Sequence, residues 1–147
     1  MRIALTLTCL LCSLAATAES TLSGDLPRRD DRPLETIGGL DSHYGVLDTH
    51  DGARLRTILT RPRDATGRLP AILFVQWLSC GSIELPESQT DGWSRMQRRL
   101  AQESGWVLQR TDKAGIGDSE GGPCAALDYE TELAHHRDSL AALRRSE

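Results

Sequence analysis

The run Gly117-Asp118-Ser119-Glu120-Gly121 has the G-x-S-x-G spacing that can present a serine hydroxyl for attack on an acyl carbon. Such a serine needs a strained turn leading straight from a buried strand into a helix, which lifts the hydroxyl above the sheet edge. The flanks of Ser119 supply neither. The apolar run Trp106-Val107-Leu108 stops well upstream, and the intervening Asp112-Lys113-Ala114-Gly115-Ile116-Gly117 is loop chemistry. Downstream, Gly121-Gly122-Pro123 bars an immediate helix, because glycine weakens a helix and proline removes a donor. Ser119 is therefore considered as a nucleophile and disfavoured. A dinucleotide-binding reading of Gly115-x-Gly117 fails as well, since Glu120 stands where a third glycine belongs and no helix opens there.

The other reactive side chains are four histidines and four cysteines. His43 and His50 fall before or within a hairpin, and His135-His136 fall mid-helix, so all four read as exposed or partly packed turn and helix residues. Adjacent helical residues point in different directions, which argues against a metal site at His135-His136. Cys9 and Cys12 lie in an export signal: Met1-Arg2 is a short positive start, Ile3 to Ala16 is apolar, and Ala16-Thr17-Ala18 has the small-x-small pattern before a cleavage site. Residues 1–18 are accordingly expected to be removed, and the run is too short and wrongly flanked for a spanning helix.

What remains is 129 of the 147 residues, enough for one domain with a core, carrying 16 basic and 21 acidic residues. That mild acidity argues against nucleic acid as a partner. The two remaining cysteines, Cys80 and Cys124, suggest a disulfide in an exported protein, with two free buried thiols as the alternative. Metal ligation is disfavoured because no His or Cys stands at ligand spacing from either.

These residues must be positioned by a short set of elements. Residues 19–43 are rich in Asp, Arg, Gly and Pro with little apolar periodicity, and read as a polar leader poorly suited to a core. The domain proper is expected from Tyr44, where two β-prone runs flank His50-Asp51-Gly52-Ala53 as a half-buried outer hairpin, with Leu55, Thr57 and Leu59 inward and Arg54 and Arg56 outward. Ala71 to Val75, five apolar residues without alternation, predict a central strand buried on both faces. After a long loop, Trp93, Met96, Leu100 and Ala101 recur at helical spacing, with Asp91 as cap and Gly105 as stop. Trp106 to Arg110 gives the next strand. Asp128 caps a last helix whose apolar stripe is Leu133, Leu140 and Ala141. Hairpin, strand, helix, strand, helix is an α/β order.

That order, with the Asp112-x-x-Gly115-x-Gly117-x-Ser119 loop after the last strand, resembles the N-terminal half of the α/β-hydrolase fold, and most of all its serine aminopeptidase and esterase-like branches, over residues 44–147. The resemblance implies that the glycine loop is structural and that its serine is not the nucleophile. Ala114 departs from it, since many relatives carry Arg there. It implies an oxyanion-hole loop at Gln76-Trp77-Leu78, where Leu78 and, less favourably, Trp77 would donate backbone N–H groups despite the missing His-Gly pair. Alternatively, Trp77 and Leu78 simply pack against a neighbouring loop. It also places Cys80 and Cys124 at one sheet edge, where a bridge closing about 45 residues would stabilise the fold by about 4 kcal/mol in the chain-entropy model.

In this family the nucleophile follows a further strand after the helix begun at Asp128, with the acid and then the histidine later still. No serine, acid or histidine of a triad is identifiable before Glu147. The expectation is therefore a secreted or periplasmic α/β-hydrolase-family protein of which this chain is a truncated, catalytically incomplete form. At full length it would hydrolyse ester, thioester or peptide-type acyl bonds of a small molecule or peptide. A non-catalytic secreted binding module on the same scaffold is the alternative. Neither metal nor cofactor is called for, nor a membrane once the signal is removed.

Overall fold

The computed structural model describes residues 26–29 and 31–146, so the expected signal at 1–18 lies outside the described residues. Strands β1 (Leu40–Asp48) and β2 (Arg54–Pro62) pair antiparallel around the Asp51-Gly52 turn. The Thr49 N–H donates to the Ala53 carbonyl at 2.9 Å, and Gly52 takes φ +85°, which glycine reaches without a Cβ penalty. Then come β3 (Ala71–Phe74), α1 (Gly92–Ser104), β4 (Val107–Thr111), a 3-10 turn at Cys124–Ala126, and α2 (Tyr129–Ser146). The sheet order is β1-β2-β4-β3, with β2 antiparallel to β4 and β3 parallel to it.

Because strand side chains alternate, Leu108 and Val107 of β4 face opposite ways. Leu108 joins Ile37, Leu40, Leu85 and Ala101 of α1, while Val107 joins Leu59 and Leu143 of α2. One helix thus covers each face of a mixed sheet, an α/β arrangement. Local chemistry sets the helix ends. The Asp91 carboxylate accepts the Ser94 N–H at 3.0 Å, Gly105 ends α1 at φ +69°, and Asp128 accepts the Thr131 N–H at 2.9 Å. Glu130 and Glu132 in the first turn of α2, with Arg144 and Arg145 in its last, oppose the helix dipole.

Several placements differ from the sequence expectations. The Ala71–Val75 run does not form the central strand; β3 is an edge, and the strand buried throughout is β4. Its unbroken apolarity has another cause: Ile72 and Phe74 pack towards the α1 cluster and Leu73 towards the α2 cluster, so both faces are covered although one edge is open. The packed body also begins before Tyr44, since β1 starts at Leu40 and the leader buries Leu26, Glu35 and Ile37. Arg56, expected outward, is 2% exposed.

Both helices are turned from their predicted stripes. In α1 the buried positions are Ser94, Gln97 and Ala101, and Trp93 and Met96 are exposed. In α2 the inner face is His135, Ser139, Ala142 and Leu143, while Leu140 is exposed. For α2 the reason is visible on β4, whose buried Gln109 donates its Nε2 to the Ser139 carbonyl and Oγ, each at 2.9 Å, while Thr111 Oγ1 lies 2.8 Å from Ser139 Oγ. A polar strand face selects a polar helix face, because a buried hydrogen-bonding group left unmatched costs about 1–3 kcal/mol.

Candidate functional site

The carboxyl ends of the parallel pair β3 and β4 lie side by side, and each opens into a long loop at the same edge of the sheet. Cys80 of the first loop is bonded to Cys124 at the end of the second, with Cα atoms 5.9 Å apart. The oxyanion candidates in the first loop point away from the protein: Trp77 is 72% and Leu78 84% exposed. Among the described residues neither backbone N–H meets a hydrogen-bond partner, and neither side chain packs against a neighbouring loop as the bland alternative required. Gln76 before them is buried, its amide nitrogen held by the Gly81 carbonyl.

Beneath this edge lies a buried charged network that sequence reading missed. Arg56 on β2 donates Nε to Asp112 Oδ2 at 2.8 Å, Nη1 to Asp118 Oδ2 at 2.7 Å and Nη2 to Ser82 Oγ at 2.8 Å. Arg28 of the leader bonds Glu84 at 3.0 Å and Asp118 at 3.1 Å, and the Arg29 N–H donates to Asp118 at 2.8 Å. Tyr44 donates its hydroxyl to Glu84 at 2.6 Å and accepts the Glu35 N–H at 2.9 Å. Arg110 grips Glu35 through both terminal nitrogens and reaches the Ile83 carbonyl at 2.9 Å. Three arginines and four carboxylates thereby tie the leader, β1, β2, the post-β3 loop, β4 and the glycine loop together.

Burial and pairing act on these groups in different proportions. Burial is the larger effect on Asp112 and raises its carboxyl above the ordinary range, against the pull of Arg56 and the Ile83 N–H. For Asp118 burial also raises, but the Arg29 N–H together with Arg56 and Arg28 outweighs it, and the net direction is downward. Burial, then the bond to Glu84, pushes the Tyr44 phenol up, so it remains a donor.

Ser119 belongs to this framework. It is 0% exposed, its Oγ accepts the Arg56 backbone N–H at 2.8 Å, and Asp112 O lies 3.4 Å away. Gly117 takes φ +55°, and a Cβ built there would stand 2.8 Å from Arg56 Cζ, with Nη2 and Asp112 Oδ2 closer still. Glycine at this position is what lets the guanidinium approach the loop. Ala114, the departure from the family pattern, packs with Leu47, Leu55 and Ala142 instead of carrying a charge.

The histidines lie elsewhere. His43 is exposed. His50 and His135 form two Asp pairs that fasten the hairpin turn to α2: His50 Nδ1 to Asp138 at 2.9 Å, and His135 Nε2 to Asp51 at 3.1 Å. His135 is buried, further than the exposed or partly packed placement expected of it. Its bond to Asp51 repays its burial and explains why a helical histidine faces inward. Among the described residues no group of three His, Cys, Asp or Glu side chains converges as a metal site.

The bond to Asp138 raises the His50 imidazole above its ordinary value, burial slightly opposing. Asp51 is lowered to about 2, first by the Thr49 hydroxyl and then, against burial, by His135. A raised histidine contributes stability that is present below the ordinary histidine range and lost as pH climbs through the raised value. A lowered aspartate contributes above its ordinary value and fades as pH falls towards 2. The fastening is therefore complete in mildly acidic solution, between the two ordinary values. In Asp138→Asn the NMR titration midpoint of His50 is expected to fall back towards the ordinary histidine value; an unchanged midpoint would remove the pairing as its cause.

No protein-family model and no curated protein matches the chain. Among solved structures, it is weakly similar to an aminopeptidase from the marine sediment archaeon Thaumarchaeota archaeon, with 17% sequence identity and a TM-score of 0.47. The match covers 84% of this chain and 22% of that one, so the chain spans less than a quarter of that structure's length.

Proposed function

We propose that this chain is the amino-terminal part of an exported α/β-hydrolase-type enzyme that cleaves ester, thioester or peptide-type acyl bonds, with the triad supplied by further segments. The observation that carries the reading is the open edge of β3 in the order β1-β2-β4-β3. That strand is apolar on both faces, and its free backbone groups are a template for another strand. The element order and the glycine loop after β4 support it, as does the exposed Trp77-Leu78 loop at the carboxyl edge, where an oxyanion would be held. Ser119 acts as a structural serine, because a hydroxyl with no exposure cannot meet a substrate.

The disulfide suits an oxidising compartment, and no described helix is long and apolar enough to cross a membrane. Two measurements test the reading. A fluorophosphonate probe is expected to leave Ser119 unlabelled in the folded chain; labelling there would make it the nucleophile and overturn this assignment. The coding sequence read past codon 147, in all frames, is expected to show a short apolar strand followed by a second G-x-S-x-G. Finding neither would count decisively against the hydrolase reading.

A further inference from the structure

Helix α1 is turned so that two of its three buried residues, Ser94 and Gln97, are polar, while Trp93 and Met96 face solvent. Trp106, just past the helix, is exposed with them, and all three lie between 42% and 47% exposed. Arg95 and Arg99 stand on the same side of the helix. Tryptophan, methionine and arginine together are the composition that contact surfaces favour. An open hollow of about 670 Å³ runs along this face and is lined by α1 alone.

The hollow follows the row Gly92, Met96, Leu100 and Ser104, residues four apart, which is the kind of row that packs into the matching row of another helix. The pattern reads the same from either end, small at 92 and 104 and apolar at 96 and 100. Turned antiparallel about a two-fold axis, it opposes Met96 to the partner's Leu100 and Gly92 to the partner's Ser104. Beside it runs a second row, Arg95, Arg99 and Glu103. The same axis sets Arg95 against the partner's Glu103 twice. It brings the two Arg99 side chains together once, and each of those is already offset by its own Glu103 at 2.9 Å. A parallel pair would set every one of these charges against its like.

We propose that the outer face of α1 is the contact between two copies of this chain, packed antiparallel across a two-fold axis. A surface of one sign fits the face less well, because the charged row carries both signs in the order that its own copy matches. With 13 residues α1 is about 20 Å long, so the contact stands at the small end of specific interfaces. A reversible, concentration-dependent dimer is the expected form. No residue of β3 lines the hollow, so the proposal does not rest on the hydrolase reading and is tested by association alone.

Sedimentation equilibrium of the full chain over a wide range of concentration should show monomer and dimer in exchange. Met96→Glu, an exposed change to a good helix former, should raise the dissociation constant by at least about tenfold, with the circular dichroism of the folded chain unchanged. Arg95→Glu and Glu103→Arg should each raise it about threefold, and the two together should return it to near the parental value. That exchange decides the matter if Met96→Glu fails to fold. A chain monomeric throughout, full affinity in a folded Met96→Glu protein, or a double exchange no better than the singles would each overturn the proposal. So would a monomer that sediments with phosphatidylglycerol vesicles, which would give the face to a lipid surface.

Discussion

Arg56→Met is expected to lower the unfolding free energy by about 3–5 kcal/mol, the range for removing one partner from a buried ion pair. The loss is large because Arg56 meets three carboxylates, of Asp112, Asp118 and Glu84, all of them buried. Arg28 still reaches two of them, but Asp112 keeps only Ser82 and the Ile83 N–H. Asp112 is already raised by burial, and without the guanidinium it rises further. A raised carboxyl favours the folded state at low pH and loses that advantage as pH climbs through the folded value. The deficit of the variant should therefore be smaller at pH 5 than at pH 7. Urea denaturation at the two pH values checks both points, and a loss below about 1 kcal/mol at pH 7 would show that the network does not act as one unit. Adding Asp112→Asn to Arg56→Met should cost less than the sum of the two single changes, because the second removes the charge that the first leaves without its guanidinium.

Replacing Cys80 and Cys124 together by alanine is expected to lower stability by about 4 kcal/mol, the chain-entropy value for this loop length. The bonded residues are 44 apart, and the segment between them contains α1 and β4. Removing the bond thus frees an unfolded chain that otherwise stays looped through α1 and the buried strand β4. Native-state hydrogen exchange should accelerate most at Ile83, Ala126 and Leu127, whose N–H groups are bonded close to the two cysteines. A variant unfolding within about 1 kcal/mol of the parent would mean that the ion network alone fixes the edge. Either change removes a large part of the 5–15 kcal/mol that typically separates folded from unfolded domains. Oxidation and the buried charges are therefore both expected to be conditions of folding.

Local chemistry made the turns and ends readable. Asp51-Gly52, Asp91, Gly105 and Asp128 each act within a few residues of themselves, and each stands where its type predicts. What did not show was which side faces inward. Periodicity equates burial with apolarity, whereas this interior buries Arg56, Arg110, Gln109 and Ser139, each hydrogen-bonded to a distant residue. Those partners are 26 to 75 residues away in the chain, beyond any local window. The leader failed for the same reason: Arg28 and Glu35 look solvated until their counterparts are in place. At the candidate site, the disulfide follows from cysteine count and strand order, and the exposure of Trp77 and Leu78 from neither.

The contact between Gly117 and Arg56 has a consequence for how this protein can change over generations. The missing side chain at 117 makes room for the guanidinium, and the left-handed turn there admits asparagine as the next easiest residue. Position 117 is therefore held both by its backbone turn and by the Arg56–Asp112 pair, and room opens only when that pair is gone. Among descendants, asparagine at 117 should be found only where 56 and 112 have already lost their charged pair, which makes the order of those substitutions a historical arrow.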